Sequence, residues 1–285
     1  MALLDVDSIL EQVILIVKDV STQNFCHKKR DSTTQDTFKV SKKNNSPTDL
    51  VTERDIAIER EIASKLSLAF PHIFFLGEEG IQVPTNNVSC NQNGPCYYWV
   101  LDPIDGTINF LHGLLSHSCV SLALVEVPKM AGECPDPLIG IIYHPTLKKL
   151  YYSVKGKGAY LVDENESSTP QRLPLYSHMS NSEKRMSDCL VVTEWNLPMM
   201  GYVPEYKACI TSIMHSLIQI PVHGIRSFGS AAMNLTKIAE GAGDIYYEIG
   251  IHSWDIAAGI LIVKEAGGVV ENITSTSVDM RKGTI

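Results

Sequence analysis

The stretch Leu101–Phe110, LDPIDGTINF, sets two carboxylates, Asp102 and Asp105, around Pro103-Ile104, with Gly106-Thr107 directly after. Taken alone, either acid can make an Asx turn or cap a helix. The neighbouring sequence favours something else. The run before it, YYWVL, has the composition of a buried strand, and TINFLHG after it has the character of a helix start. Glu78 follows the apolar run HIFFL in the same way. Asp255 falls in the first turn of the buried-looking helix SWDIAAGILIVKEAGG, where the macrodipole already favours an acid.

Acids at the carboxyl ends of strands stand where open α/β sheets bind ligands. Carboxylates emerging from apolar runs are costly unless paired or metal-bound. No Lys or Arg adjoins Glu78, Asp102 or Asp105 in sequence, so an oxygen-binding cation is the natural partner. Carboxylates and carbonyls without Cys or His favour magnesium, calcium or manganese over zinc. A sharp turn at Pro103 allows both aspartates and the Ile104 carbonyl to face one site. Asp102 can then bridge two ions at the roughly 3.5–4 Å spacing of two-metal phosphatases. The amides of Gly106 and Thr107 open a helix and attract an anion. A phosphate monoester adds a charge of about −2 to these acids, and repulsion forbids that pairing unless divalent ions intervene. The pattern predicts metal-assisted phosphoryl chemistry.

Working outward, the chain of 285 residues carries a formal net charge of −8, which argues against nucleic acid as the main partner. A 44% hydrophobic fraction beside 20% charged residues is the balance of a soluble globular protein. Asp5, Asp7, Glu11 and Lys18 interrupt the apolar amino terminus, which therefore predicts an amphipathic helix over about residues 5–26 and no membrane span. The 7 cysteines include no C-x-x-C pair, so reduced thiols and a cytoplasmic location are expected.

Thr52, with Asp55 three residues on, predicts a capping-box start for a second helix with a stripe of Ile58, Ile62 and Leu66. SCVSLALVEV and LIGIIYHP have strand character, and KLYYSVKGKGAYLV predicts a hairpin turning at Gly156-Lys157-Gly158. CLVVTE, PVHGIRS, DIYYEIG and VVENI are further expected strands; residues 204–219 and GSAAMNLTKIAEG are expected helices. Strands and helices mix without strict alternation, which predicts layered sheets covered by helices and no barrel.

Four motifs, GEE (77–79), DPIDGTINF (102–110), GIRSFGSAA (224–232) and YYEIGIHSWDIAAG (246–259), together resemble the inositol monophosphatase family, in order and from the first helix to about residue 275. The resemblance implies a single α+β domain over 1–285, an αβαβα layered sandwich with the metal motifs in about 1–145 and a C-terminal sheet and helices in about 146–285. It implies magnesium-dependent, lithium-sensitive hydrolysis of inositol monophosphate by a homodimer. Glu78, Asp102 and the Ile104 carbonyl match the ligands of a first magnesium, and Asp102, Asp105 and Asp255 those of a second. A third, weaker ion is implied near Glu78, with Asp55 close by through water. Thr107 and Glu78 match the pair that orients and deprotonates the attacking water. The Gly106 and Thr107 amides match the phosphate cradle, Gly229, Ser230 and Ala231 the inositol wall, and Glu248 the acceptor of a ring hydroxyl. Ser230 can also cap its helix.

The pattern departs from the family in three places. Trp195-Asn196-Leu197-Pro198 stands where small polar residues are expected, which bears on substrate choice. The segment from Lys39 to Asn45 is longer than usual. Relatives continue past the equivalent of Ile285 with a strand and a helix, so a truncated chain or shortened isoform with an exposed sheet edge is expected. The alternatives are a phosphatase for another small ester, such as a sugar phosphate or nucleotide bisphosphate, and an inactive protein on the same fold.

Overall fold

The structure, a computed structural model, describes residues 5–25, 39–42, 50–81, 95–128, 133–176, 184–196, 199–200, 203–272 and 279–280. Val6–Asn24 forms helix α1, with the Asp5 side chain accepting the Ser8 amide. Glu53–Ala69 forms α2. The expected capping box is present: Thr52 Oγ1 accepts the Arg54 and Asp55 amides while the Asp55 carboxylate accepts the Thr52 amide. The stripe Ile58, Ile62 and Leu66 is fully buried.

Strands β1 (Val40–Lys42) and β2 (Leu50–Thr52) pair antiparallel ahead of α2. Seven further strands form the main sheet: β3 (Phe74–Gly77), β4 (Tyr97–Asp105), β5 (Cys119–Glu126), β6 (Asp136–His144), β7 (Lys149–Val154), β8 (Gly158–Asp163) and β9 (Ser167–Arg172). They lie in sequence order, antiparallel except for the parallel β3–β4 pair. The expected hairpin joins β7 to β8.

Side chains on a strand alternate between faces, so both sides of this sheet can be apolar at once. Val120, Leu122 and Leu124 join α1 and α2 in one core, whereas Cys119, Ala123 and Val125 join the helices of the other face. Those helices are α5 (Ala231–Glu240) and α6 (Ser253–Glu265), which follow the short α3 (Thr107–Leu111) and α4 (Pro204–Gln219). α6 buries every residue from Ile256 to Val263, as a helix enclosed between layers must. A second sheet, with parallel strands in the order β11 (Gly224–Arg226), β10 (Leu190–Thr193), β12 (Ile245–Tyr247), contacts α5. The result is the expected mixed α+β arrangement of sheets and helices in layers.

Four differences from the sequence reading stand out. β4 runs through Asp105 instead of ending at Asp102. Its register with β5 slips between the two aspartates, and that bulge accommodates Pro103 inside a strand. β9 is exposed throughout, an edge strand without an apolar signal. Of the expected strand VVENI, residues 269–271 are not strand, and Asn272 makes only an isolated bridge. Cys96 is disulfide-bonded, which corrects the expectation of reduced thiols, while Cys119, Cys134, Cys189 and Cys209 are free. Leu197-Pro198, residues 43–45 and the end of the chain fall outside the described residues. Among the described residues, no helix is long and apolar enough to cross a membrane.

Candidate active site

The β4 bulge aims successive acids to one place. Asp102, Asp105 and Asp255, the last from the first turn of α6, bring carboxylate oxygens within 4.8 Å of one another. Each accepts a backbone amide, Asp102 and Asp255 from their own chain neighbourhood and Asp105 from a distant one. Ile104 N donates to Asp102 Oδ1 at 3.0 Å, which closes an Asx-type turn. Ala232 N and Ser230 Oγ donate to Asp105 Oδ2 at 2.6 and 2.8 Å, so the start of α5 receives Asp105. His252 N donates to Asp255 Oδ2 at 2.6 Å, the expected helix-start role for that acid. The sequence-level alternatives of turn and cap are thus present as well, and the same side chains still converge.

Glu78, one residue beyond β3, joins this group. Its charge acts on Asp55, Asp102, Asp105 and Asp255. Burial, followed by the charges of Glu78, Asp105 and Asp255, pushes the Asp102 carboxyl well above the usual range. Burial raises Asp105 to about 7 against the pull of Ala232 N and Ser230. Burial, then Asp105 and Glu78, raises Asp255. Among the described residues no lysine or arginine pairs with these three aspartates; the His252 ring lies beside them, with Nδ1 3.8 Å from Asp255 Oδ2. A buried all-oxygen donor set with mutual repulsion fits a hard divalent cation.

Gly106 caps α3 with φ +86, a conformation costly for other residues, and a Cβ there would lie 2.6 Å from His117 O. Thr107 follows, with its hydroxyl 3.0 Å from Ile104 O and 3.2 Å from Asp55 Oδ1. Asp55 therefore touches Thr107 directly, a bond that the sequence did not suggest. Burial raises its carboxyl to about 6. On the far side, Ser230 caps α5 by accepting Met233 N, and Glu248 is buried against the Tyr246 hydroxyl, its carboxyl raised by burial. The charges of Asp255, Glu194 and Asp105 also reach Glu248.

Three polar residues absent from the sequence reading build the loops around this centre. Glu59, fully buried in α2, accepts Glu79 N and Ile81 N at 2.8 Å each and so fixes the turn carrying Glu78. Its signal was an acid beside the inward stripe of an amphipathic helix. Asn109 donates to the carbonyls of His117, Phe228 and Gly229, tying α3 to the segment before α5. Glu194 directly follows β10. The rule that singled out Glu78, an acid at the carboxyl end of an apolar strand, applies equally to it.

A model of the Inositol monophosphatase family matches residues 6–285. The chain belongs to the inositol monophosphatase family. Inositol monophosphatase 1 of Sus scrofa is 35% identical over 236 residues, covering 83% of this chain and 76% of the relative. Inositol monophosphatase 1 of Homo sapiens is 34% identical over 236 residues, covering 83% of this chain and 76% of the relative. Among solved structures, extragenic suppressor protein suhB from Bartonella henselae matches with a TM-score of 0.74 and 27% identity, covering 97% of this chain and 92% of that one. An IMPase of Thermotoga maritima matches with a TM-score of 0.68 and 26% identity, covering 97% and 90%. As a member of the inositol monophosphatase family, the chain is a phosphoric monoester hydrolase.

Proposed function

We propose that this chain hydrolyses myo-inositol monophosphates to inositol and phosphate with magnesium, is inhibited by lithium, and acts as a cytoplasmic homodimer built from one catalytic domain. The observation that carries the reading is the convergence of Asp102, Asp105 and Asp255 within 4.8 Å. Glu78, Asp102 and the Ile104 carbonyl are the proposed ligands of one ion, and Asp102, Asp105 and Asp255 those of a second. When bound, magnesium supplies Lewis-acid polarisation of the phosphate, a lowered water pKa and neutralisation of the leaving alkoxide.

The chain's own residues do the rest. Thr107 and Glu78 orient the attacking water, and Glu78 accepts its proton. Asp55 holds the Thr107 hydroxyl at 3.2 Å, which turns a Thr107 lone pair toward that water. The amides of Gly106 and Thr107 receive the phosphate oxygens as charge develops. The Gly229, Ser230 and Ala231 backbone lines the alcohol half of the ester, and Glu248 accepts a hydrogen bond from a ring hydroxyl.

The test is phosphate release from a panel of monoesters, including inositol monophosphates, a sugar phosphate and a nucleotide bisphosphate, with and without magnesium and lithium. The expected result is magnesium-dependent release, fastest for the inositol esters, that lithium suppresses and Asp102→Asn abolishes while the fold persists. Near-normal turnover by Asp102→Asn would sink the ligand assignment. A preference for another ester would replace the substrate.

A further inference from the structure

The Phe228–Gly229 peptide is gripped on both of its polar sides. Glu194 Oε1 accepts Phe228 N and Gly229 N at 2.7 Å each and Asn234 Nδ2 at 2.9 Å, while Oε2 accepts the Ser227 hydroxyl. On the opposite side, Asn109 Nδ2 donates to Phe228 O at 2.7 Å and to Gly229 O at 3.3 Å. Gly229 has φ +75, and a Cβ there would stand 2.7 Å from Asn109 Nδ2. The next residue is Ser230, whose hydroxyl holds Asp105. The Glu194 charge is felt at Asp105, Tyr246 and Glu248, which places it at the rim of the same centre.

A binding wall made of bare backbone has no side chains to give it shape. It is rigid only if its N–H and C=O groups are held by something else. One carboxylate does this for the donors, through charge-assisted hydrogen bonds about twice as strong as neutral ones.

We propose that Glu194 is a positioning residue: it fixes the Ser227–Gly229 turn and thereby the Gly229–Ala231 wall against which the alcohol half of the ester binds. This rests on the substrate side assigned under the proposed function. A preorganised wall lowers the ordering cost of binding, so its loss appears in KM for an ester with a demanding alcohol half more than in kcat.

The experiment compares the full chain with Glu194→Ala and Glu194→Gln by hydrogen exchange, thermal unfolding and steady-state kinetics. The substrates are inositol 1-phosphate and p-nitrophenyl phosphate, whose alcohol half carries no ring hydroxyls. Loss of charge-assisted bonds predicts that Glu194→Ala speeds exchange over residues 227–230 by about tenfold or more and lowers selectivity for the inositol ester by about ten- to a hundredfold, mainly through KM. Glu194→Gln keeps one acceptor oxygen and falls between. Unchanged exchange at Phe228 and Gly229 overturns the proposal. Equal losses on both esters together with a lowered melting temperature also overturn it, because they describe a purely structural role. If wild type hydrolyses only p-nitrophenyl phosphate, the substrate reading fails, and exchange over 227–230 alone decides whether Glu194 fixes the turn.

Discussion

The Thr107 hydroxyl lies 3.2 Å from Asp55 Oδ1 and 3.0 Å from the Ile104 carbonyl, joining the start of α2 to the start of α3. One hydroxyl proton serves one acceptor at a time. On the proposed ligand set, a cation at the Ile104 carbonyl would leave Asp55 to accept the Thr107 hydrogen bond, with a Thr107 lone pair turned to the proposed water.

Thr107→Val removes the hydroxyl at nearly constant volume. Loss of one positioned proton-transfer partner predicts a fall in kcat of about 10²–10⁴-fold. Thr107→Ser should retain most of the activity. Phosphate-release kinetics beside a calorimetric manganese titration check this: ion affinity should persist in both variants, and a parallel loss of ion binding would assign Thr107 a different role.

The raised carboxyls set a pH dependence. Asp105 stands at about 7 and Asp55 at about 6, each above 3.8, with burial as the leading cause. The folded metal-free chain thus holds these protons more tightly than the unfolded chain. Their contribution to stability is full below about pH 4 and is lost as pH rises through the folded values. Divalent ions require the ionised form, so stabilisation by magnesium should grow over the same range. Melting temperatures from about pH 5 to pH 8, with chelator or magnesium, test both slopes. Asp105→Asn should flatten the metal-free slope; an unchanged slope would remove Asp105 as its source.

Glu59 and Gly77 are packed as a pair. A Cβ at position 77 would sit 2.3 Å from the Glu59 carboxyl carbon, so Gly77→Ala must displace the acid that holds the Glu79 and Ile81 amides. Overpacking of this kind costs about 1–3 kcal/mol, which urea unfolding will measure. Because the same turn carries Glu78, activity should fall by more than the stability loss explains. Full activity in a destabilised Gly77→Ala would show that the Glu78 turn is held by other contacts.

Leu66 is 1% exposed on the inward stripe of α2, against the face of the main sheet that carries Trp99 and Leu101. Leu66→Ala should cost about 2–5 kcal/mol through lost burial and a residual cavity. Denaturant midpoints at an unchanged m-value check it, and magnesium-dependent turnover of the folded fraction should stay near wild type.

Much of this was legible locally. The Thr52–Asp55 capping box, the α2 stripe, the β7–β8 hairpin and α4 at residues 204–219 each depend on neighbours a few positions apart, so their residues carry the signal by themselves. The acids of LDPIDGTINF were legible too, because carboxylates beside an apolar strand and a glycine turn admit few uses. The bulge between Asp102 and Asp105 was not, since it is defined by register against β5. β9 was missed because an exposed edge strand needs no apolar pattern.

The amino-acid sequence by itself determined the layered α+β class, the family and the acidic residue types of the candidate site. Only the tertiary structure decided which side chains meet. It placed Asp255 beside Asp102 across the chain, hung Thr107 from Asp55, and set Glu59 and Glu194 to hold the loops. The physical reason is that convergence of like charges and capture of distant backbone amides are set by packing. Sheet register and burial put those groups within reach, and residues far apart in sequence leave no periodic trace of that meeting.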